Sequence, residues 1–427
     1  MGMFFAEYLP KKSSLTVTIN LPKEYGDANL SVKPKSLELK TGLGLYSIEL
    51  PNILMSCITC RNLENHDADS FSCTFTACET RPSRSPSCLL ESMESILMNG
   101  DSLLCKFCSN KFAEIKGIKS FKLRPPVFTQ EETSLGLEAS YFCHSQNSGE
   151  KYYNPNVQLV KESSQSSVLS VTSAVHTGTE VALHTSSMER ESYIIKSKNV
   201  IYCSRCWLCV GRKVSIGSDD LCSLWTNCLN VLTEERDIDG DFLRFVEKPF
   251  IDEGDFYGLF IAGLLENQCY RVILAAHTGD GLIDFMLLWL IDQEMDLYTI
   301  GLSRMIASPA PSSQTGSNDQ PKFTDRPAPC TVHLKGEPAA CRRVFYRLTV
   351  PNKAEGFQPE TQALLKAWRD DFGVSLLTLP WETCVGLSTC LQQYTMRIAP
   401  QFRNAGQHMT GFICGAVPVV HPLQTVN

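Results

Sequence analysis

The chain carries Leu103-Leu-Cys-Lys-Phe-Cys108 and, far downstream, Val200-Ile-Tyr-Cys-Ser-Arg-Cys206. Each stretch places a Cys-x-x-Cys pair directly after apolar residues; the four cysteines are Cys105, Cys108, Cys203 and Cys206. Two intervening residues let a tight turn direct both thiolates at one cation, and two such turns complete a tetrahedron of sulfur ligands. Zn2+ suits this set because it is soft enough for sulfur and has no strong geometric preference. The spacing predicts about one structural Zn2+ per chain. The alternative is four unligated cysteines in a core.

The chain holds 19 cysteines, and its first residues lack the pattern of a secretion signal. We therefore expect a cytoplasmic protein, with the nucleus as a second location, whose thiols are buried, metal-bound or reactive. Cys209, three residues after Cys206, is close enough to compete as a ligand, but we interpret it as a spare thiol. Cys57-Ile-Thr-Cys60 is a third pair of the same spacing, but it follows an apolar run and favours packing in a core.

Composition limits the classes of function. The 427 residues predict two or three domains, and 39 basic against 46 acidic residues give a net charge of −7, which argues against direct binding of nucleic acid. No apolar run approaches the roughly 18 residues of a membrane span. The run Phe285-Met-Leu-Leu-Trp-Leu-Ile291 is read as a buried element. Motifs for nucleotide binding, serine hydrolysis and zinc proteolysis are absent from the sequence.

The residue patterns predict an α+β fold, in which zinc-knuckle hairpins join a β-rich N-terminal portion to an α+β C-terminal portion. Short β-prone runs at Leu15–Asn20 and Leu45–Leu50 predict an antiparallel sheet or sandwich. Helices are predicted after Asp255, from Pro359 and from Pro380. Composition divides the chain into a β-rich domain with the first cysteine pair (1–128), a Ser/Thr-rich loop region with a Cys-His motif (129–198), an α+β region with the second pair (199–306), a Pro/Ser linker (307–330) and a C-terminal region (331–427).

Cys384 is a candidate nucleophile. It lies in Leu376-Leu-Thr-Leu-Pro-Trp-Glu-Thr-Cys-Val-Gly-Leu387, about one turn into the predicted helix. Unpaired amide groups and the helix dipole favour a thiolate there, and a thiolate can attack a thioester. The alternative is a core residue, because Cys384, Leu387 and Leu391 form one apolar stripe.

Cys143-His144 stands at the start of the Ser-rich region, after Tyr141-Phe142. Neighbours in an extended chain point in opposite directions, so the two residues do not form a ready catalytic dyad. An exposed Cys-His can instead reach into the metal site of a partner. The alternative is a partly buried thiol beside a solvated histidine.

Together these motifs resemble those of the HECT-like ubiquitin-protein ligases that bind ubiquitin-conjugating enzymes, and the similarity runs nearly end to end. Its carriers are Leu30-Ser-Val-Lys-Pro-Lys-Ser-Leu-Glu-Leu-Lys40, Ile48-Glu-Leu-Pro51, Thr59-Cys60-Arg61, Cys105-Lys-Phe-Cys108, Phe142-Cys143-His144, Val200–Cys206 with Val210-Gly211, Leu287–Ile291 and Leu376–Cys384. The resemblance implies a transferase that accepts ubiquitin from a conjugating enzyme and passes it to substrate lysines, promoting degradation. Cys384 would then form the thioester and Thr383 would position it.

The resemblance also implies a conjugating-enzyme-binding region within 199–306 and a HECT-like region over 331–427. The binding segment runs from Phe245 through Phe256, and its acidic, Phe-rich surface offers Phe250, Phe256 and Phe260 as anchors. The alternative places Phe256, Leu259 and Phe260 in the core.

A second implied function involves the zinc-dependent endonuclease that cleaves pre-mRNA 3′ ends, to which relatives have been linked. Phe142-Cys143-His144 is similar to a motif that plugs the metal centre of that nuclease, where a thiolate can occupy an open zinc position. The protein would then be an inhibitor or assembly chaperone, with Cys143 and His144 as partner-binding residues.

Overall fold

A computed structural model describes most of the chain. The described residues are 2–26, 28–67, 70–80, 89–116, 118, 120–123, 173–176, 178–196, 199–216, 219–236, 243–278, 281–302, 331–350, 359–406, 409 and 411–420. They form two compact units. The first comprises 1–85, 293–342 and 394–404, and the second comprises 86–292, 343–393 and 405–427. The predicted α+β class is confirmed. The five-part division by composition stays a prediction.

Helices in the described part of the chain are α1 (Leu89–Asn99), α2 (Glu253–Glu266), α3 (Pro359–Arg369) and α4 (Trp381–Thr395). Its strands are β1 (Gly2–Leu9), β2 (Ser14–Asn20), β3 (Asn29–Val32), β4 (Ser36–Thr41), β5 (Gly44–Glu49), β6 (Ile53–Asp67), β7 (Ser70–Glu79), β8 (Gly100–Cys105), β9 (Lys111–Glu114), β10 (Ser120–Leu123), β11 (Ser173–His176), β12 (Glu180–His184), β13 (Tyr193–Ile195), β14 (Val200–Cys203), β15 (Cys209–Ile216), β16 (Asp219–Trp225), β17 (Leu229–Arg236), β18 (Leu243–Pro249), β19 (Arg271–Thr278), β20 (Gly281–Leu302), β21 (Thr331–Lys335), β22 (Ala339–Leu348), β23 (Ser375–Pro380) and β24 (Ile413–Pro418).

The first unit is built from two sheets. In one, the second half of β20 pairs with β1, followed by β2, β7 and β6. In the other the order is β21-β5-β4-β3, and β21 runs parallel to β5. Apolar side chains of both sheets form one core, and its members include Phe4, Tyr8, Leu15, Val17, Ile19, Leu37, Leu39, Tyr46 and Ile48. The predicted strands at Leu15–Asn20 and Leu45–Leu50 are β2 and β5, so the expected antiparallel sheet is confirmed.

The second unit holds three sheet regions. Their orders are β18-β17-β8-β9, β10-β11-β12-β16-β15-β14-β13, and β23-β19 with the first half of β20. The Phe285–Ile291 run lies in β20, and most of its residues are buried, as predicted. None of the helices among the described residues is long and apolar enough to span a membrane.

The predicted helices are present. α3 begins at Pro359, and α4 begins directly after Pro380. α2 begins earlier than predicted: the N–H of Phe256 bonds the carbonyl of Asp252 at 2.9 Å, so Asp252 precedes the first turn and Asp255 lies within it. Gly258 of α2 is required for packing, because a Cβ there would lie 2.6 Å from the carbonyl oxygen of Pro418. Most of the Ser/Thr-rich region and all of the Pro/Ser linker lie outside the described residues.

Candidate functional site

The four predicted cysteines come together in the second unit. The Sγ atoms of Cys105, Cys108, Cys203 and Cys206 all lie within 4.8 Å of one another. Cys105 and Cys206 are 3.6 Å apart, and so are Cys108 and Cys203. A Zn2+ with four bonds of about 2.3 Å to sulfur would set neighbouring sulfurs about 3.8 Å apart. The cluster therefore has the size of a four-sulfur metal site.

The first cysteine pair lies in the turn of the β8–β9 hairpin. The N–H of Cys105 donates to the carbonyl of Asn110 at 2.8 Å, and the carbonyl of Cys105 accepts from the N–H of Ser109 at 2.9 Å. Ser109 adopts a positive φ of 55°, which closes the turn. These bonds direct both sulfurs toward the same point.

The second pair lies in the turn of the β14–β15 hairpin and repeats this backbone pattern. The N–H of Cys203 donates to the carbonyl of Leu208 at 2.8 Å, and its carbonyl accepts from the N–H of Trp207 at 3.0 Å. Trp207 has a φ of 63°, close to that of Ser109 in the first turn. Two turns with unrelated intervening residues thus share one geometry, which the cysteine spacing and backbone chemistry specify.

The surroundings of the cluster shift the pKa values of its thiols in different directions. Burial tends to raise the pKa of Cys203, but two backbone N–H groups, Cys108 and the side-chain amide of Asn110 at 3.5 Å outweigh it and lower the pKa to about 7. Burial raises the pKa of Cys105 strongly, and raises that of Cys206 to about 11. Four sulfurs this close cannot all ionise without a cation to offset their charge. The donor set therefore fits a metal held by four thiolates.

Other predicted cysteines stand apart from this cluster. Cys209 is not among the clustered residues, and burial raises the pKa of its thiol to about 12. The side chains of Cys57 and Cys60 lie outside the described residues, as do Cys143 and His144. The nuclease-binding role of Cys143 and His144 therefore stays a prediction.

Cys384 lies in the first turn of α4, where the sequence predicts it. Its side chain is 0 % exposed, and its Sγ lies 4.0 Å from the carbonyl oxygen of Ala275. Burial raises the pKa of this thiol well above its usual range, and the nearby charges of Glu382 and Cys209 raise it further. At neutral pH the thiol is protonated, because desolvation outweighs the helix dipole. This surrounding matches the core alternative, and thioester formation by Cys384 stays a prediction.

Thr383 is also buried, and its hydroxyl contacts residues other than Cys384. The side-chain amide of Asn227 donates to Thr383 Oγ1 at 3.0 Å, and Cys228 Sγ lies 3.9 Å from the same oxygen. The carbonyl of Cys228 accepts from the N–H of Lys106 at 3.0 Å. A short chain of bonds thus runs from the first cysteine turn to the start of α4.

The three phenylalanines predicted to anchor a partner are inside the second unit. Phe250, Phe256 and Phe260 are 1 %, 0 % and 2 % exposed, and the rings of Phe256 and Phe260 stack with centroids 6.4 Å apart. A partner cannot touch these rings in this structure. Their packing corresponds to the core alternative, because the apolar spacing of α2 serves burial.

Two exposed aromatic residues at the cluster escaped the sequence reasoning. Phe107 lies between the first two cysteines and is 64 % exposed, and Trp207 follows the last one and is 55 % exposed. The sequence signal that could have identified them is a large aromatic residue inside or directly after each Cys-x-x-Cys motif. Because the sulfurs of such a turn face the metal site, its neighbouring side chains face solvent.

Comparison with known proteins identifies the family. The model of the family described as HECT-like ubiquitin-conjugating enzyme (E2)-binding matches residues 7–408. The chain therefore belongs to this family, which confirms the resemblance seen in its motifs, and it acts with ubiquitin-conjugating enzymes in the ubiquitin pathway. No match was found among curated proteins or solved structures.

Proposed function

We propose that the protein is a ubiquitin-protein ligase. It binds a ubiquitin-conjugating enzyme charged with ubiquitin and promotes transfer of the ubiquitin to lysines of a substrate, which directs that substrate to degradation. The family match over residues 7–408 carries this proposal. We expect the protein to act in the cytoplasm, with the nucleus as a second location.

The cysteine cluster has a structural role in this function. We propose that it binds one Zn2+, since four thiolates at this spacing match a closed tetrahedral site. Such a site has no open position for water or substrate, so the metal would hold the two hairpin turns together and leave the chemistry to other groups.

Two routes of transfer differ at Cys384. In the first, the Cys384 thiolate attacks the ubiquitin thioester, the thiolate of the conjugating enzyme leaves, and a substrate amine then attacks the new thioester. In the second, the substrate amine attacks the thioester on the conjugating enzyme directly. The burial and raised pKa of Cys384 favour the direct route, because the first route needs an exposed and ionised sulfur.

Discharge assays separate these possibilities. The full chain is incubated with activating enzyme, a panel of conjugating enzymes and labelled ubiquitin, and the loss of the conjugating-enzyme thioester is followed in the presence of free lysine. We expect faster discharge with at least one conjugating enzyme, at an equal rate for wild type and Cys384→Ser. The matched control is Cys390→Ser, another buried thiol of the same helix.

A reductant-sensitive ubiquitin adduct on wild type that Cys384→Ala removes and Cys390→Ala retains would establish the thioester route instead. If no conjugating enzyme of a complete panel binds the chain or discharges faster with it, the proposed function is wrong.

A further inference from the structure

Phe107 and Trp207 are exposed aromatic residues in the two turns of the cysteine cluster. Arg205 Nη1 donates to the carbonyl of Cys108 at 3.2 Å, so the two turns are in direct contact. Both aromatic residues are sequence neighbours of cluster cysteines whose sulfurs lie within 4.8 Å of each other. The two rings are therefore close enough to enter one interface of ordinary size. We call this surface the cluster patch: Phe107, Trp207, Lys106, Lys196, Arg205, Glu247 and Glu253.

The cluster patch is held in place before any partner arrives. Each aromatic residue sits on a hairpin turn closed by two backbone hydrogen bonds. Lys196 Nζ lies 4.6 Å from the centroid of the Trp207 ring and 5.1 Å from that of Tyr202, which orients the indole. A preorganised aromatic side chain loses little conformational entropy on binding, and Trp is enriched among residues that dominate binding energy.

Charged groups of both signs flank the two aromatic residues. On the Phe107 side, Glu247 accepts from the hydroxyl of Ser109 at 2.9 Å, and Glu253 pairs with Lys106 at 2.7 Å. Near Trp207, Lys196 lies over the indole ring, and Arg205 reaches the carbonyl of Cys108 in the first turn. A fitting partner presents an apolar centre with basic groups opposite the glutamates and acidic groups opposite the cations.

We propose that the cluster patch is the docking surface for the ubiquitin-conjugating enzyme, with Phe107 and Trp207 as its apolar anchors. This inference rests on the proposed function and locates the binding site on the chain. The family description names the conjugating enzyme as partner, and Phe250, Phe256 and Phe260, the three anchors that the sequence suggested, are buried. Docking at the patch also places the partner beside the chain of bonds that leads to Thr383 at the start of α4.

Aromatic truncation tests the proposal. Phe107→Ala, Trp207→Ala and the double variant are made in the full, zinc-loaded chain, and their affinity is measured by biolayer interferometry against the conjugating enzyme that wild type binds. We expect each single variant to bind about tenfold more weakly, and the double variant more weakly still. The matched control, Phe372→Ala, removes a ring of the same unit that is 63 % exposed, and its affinity should stay within about twofold of wild type.

Zinc content and unfolding midpoint are measured for every variant, so that a lost fold is not mistaken for a lost contact. If an alanine variant releases zinc, Phe107→Gln or Trp207→Gln replaces it at the same position, because a polar side chain suits these exposed positions and should still weaken binding about tenfold. A double variant that retains zinc and binds as tightly as wild type would overturn the inference while the proposed function stands. Failure of wild type to bind any conjugating enzyme would overturn both.

Discussion

The cysteine cluster and the start of α4 place cysteines in opposite surroundings. Cys203 accepts backbone N–H groups and a side-chain amide, and its pKa is lowered to about 7. Cys384 is fully buried with one weak contact at 4.0 Å, and its pKa is raised. Both residues occupy positions where local backbone favours a thiolate, a tight turn and a helix N-terminus. The number of donors and the degree of burial decide the charge state of each sulfur, and position in the sequence motif does not.

Replacement of Cys203 tests the cluster side of this comparison. It is the substitution with the largest expected effect. Cys203→Ser removes one of four thiolates, so zinc content should fall well below the wild-type value of about one per chain. Metal binding to four-cysteine sites contributes folding energy directly. The unfolding transition should therefore shift down by many degrees, as measured by differential scanning calorimetry alongside elemental analysis.

Cys209→Ser is the matched control for this experiment, since Cys209 is a buried thiol near the cluster that is not part of it. The variant should keep its zinc. Equal zinc loss in both variants would show that Cys209 is a ligand, and unchanged zinc content and stability in Cys203→Ser would show that Cys203 is not a ligand and that the proposed four-sulfur site is wrong.

Packing around α4 provides the next test. A Cβ on Gly386 would lie 1.9 Å from the hydroxyl oxygen of Tyr257, so α2 and α4 approach each other at this point. Gly386→Ala should lower the free energy of unfolding by about 2 kcal/mol, because the clash outweighs the gain of about 1 kcal/mol in helix propensity. Urea denaturation measures the change.

Removing the clashing atom should rescue this defect. Tyr257→Phe deletes the hydroxyl, so Gly386→Ala should be much less destabilising in that background than in wild type. Equal losses in the two backgrounds would mean that this contact does not limit the packing of the helices.

The pH dependence of stability tests whether the Cys384 thiol stays protonated in the folded chain. Because its folded pKa is raised above the ordinary 9.0, the neutral thiol contributes stability that is complete below pH 9 and is lost as the pH rises toward the folded pKa. Between pH 8 and pH 10, wild type should lose about 1.4 kcal/mol more unfolding free energy than Cys384→Ala. The difference between the two chains cancels contributions from other groups. Parallel pH profiles would indicate that Cys384 titrates normally and is accessible.

The smallest expected effect concerns the ion pair between the first cysteine turn and α2. Lys106 Nζ lies 2.7 Å from a carboxylate oxygen of Glu253, which is 58 % exposed. Lys106→Met should lower the unfolding free energy by about 0.5 kcal/mol, as for other exposed pairs. Lys248→Met removes the pair with Glu235 in the same unit and serves as the control for urea titrations. A loss of several kcal/mol in Lys106→Met would reveal a larger role in holding the turn.

Local chemistry made much of the fold predictable from sequence. The Cys-x-x-Cys spacing identified the cluster, because two residues between cysteines restrict the turn that joins them. Pro359 and Pro380 marked the starts of α3 and α4, since proline is compatible with a first helical turn and disrupts a helix interior. Alternating apolar residues marked β2 and β5 in the same way. Each of these features depends on neighbours in the chain.

The remaining features depend on tertiary packing. An apolar stripe with a cysteine at a helix start is equally compatible with an exposed nucleophile and a core residue, and the surroundings of Cys384 become apparent only when Ala275 and neighbouring elements are in place. The same holds for Phe250, Phe256 and Phe260, whose spacing reports an apolar face without saying what covers it. The sequence analysis proposes no helix at α1, Leu89–Asn99, although Pro86 and Ser87 stand just before it.

The pairing of β10 with β11 bears on how the chain tolerates change in length. The two strands are parallel, with Ser120 opposite Ser173 and Leu123 opposite His176, so residues 124–172 leave and rejoin the sheet within about 10 Å. Closing a longer loop between fixed ends costs little additional free energy, roughly 0.6 kcal/mol for a doubling of length. A change in the length of the connecting segment is therefore compatible with the same pairing of β10 and β11. Peptide tags are best inserted in this interval at a distance from Cys143 and His144, the predicted partner-binding residues.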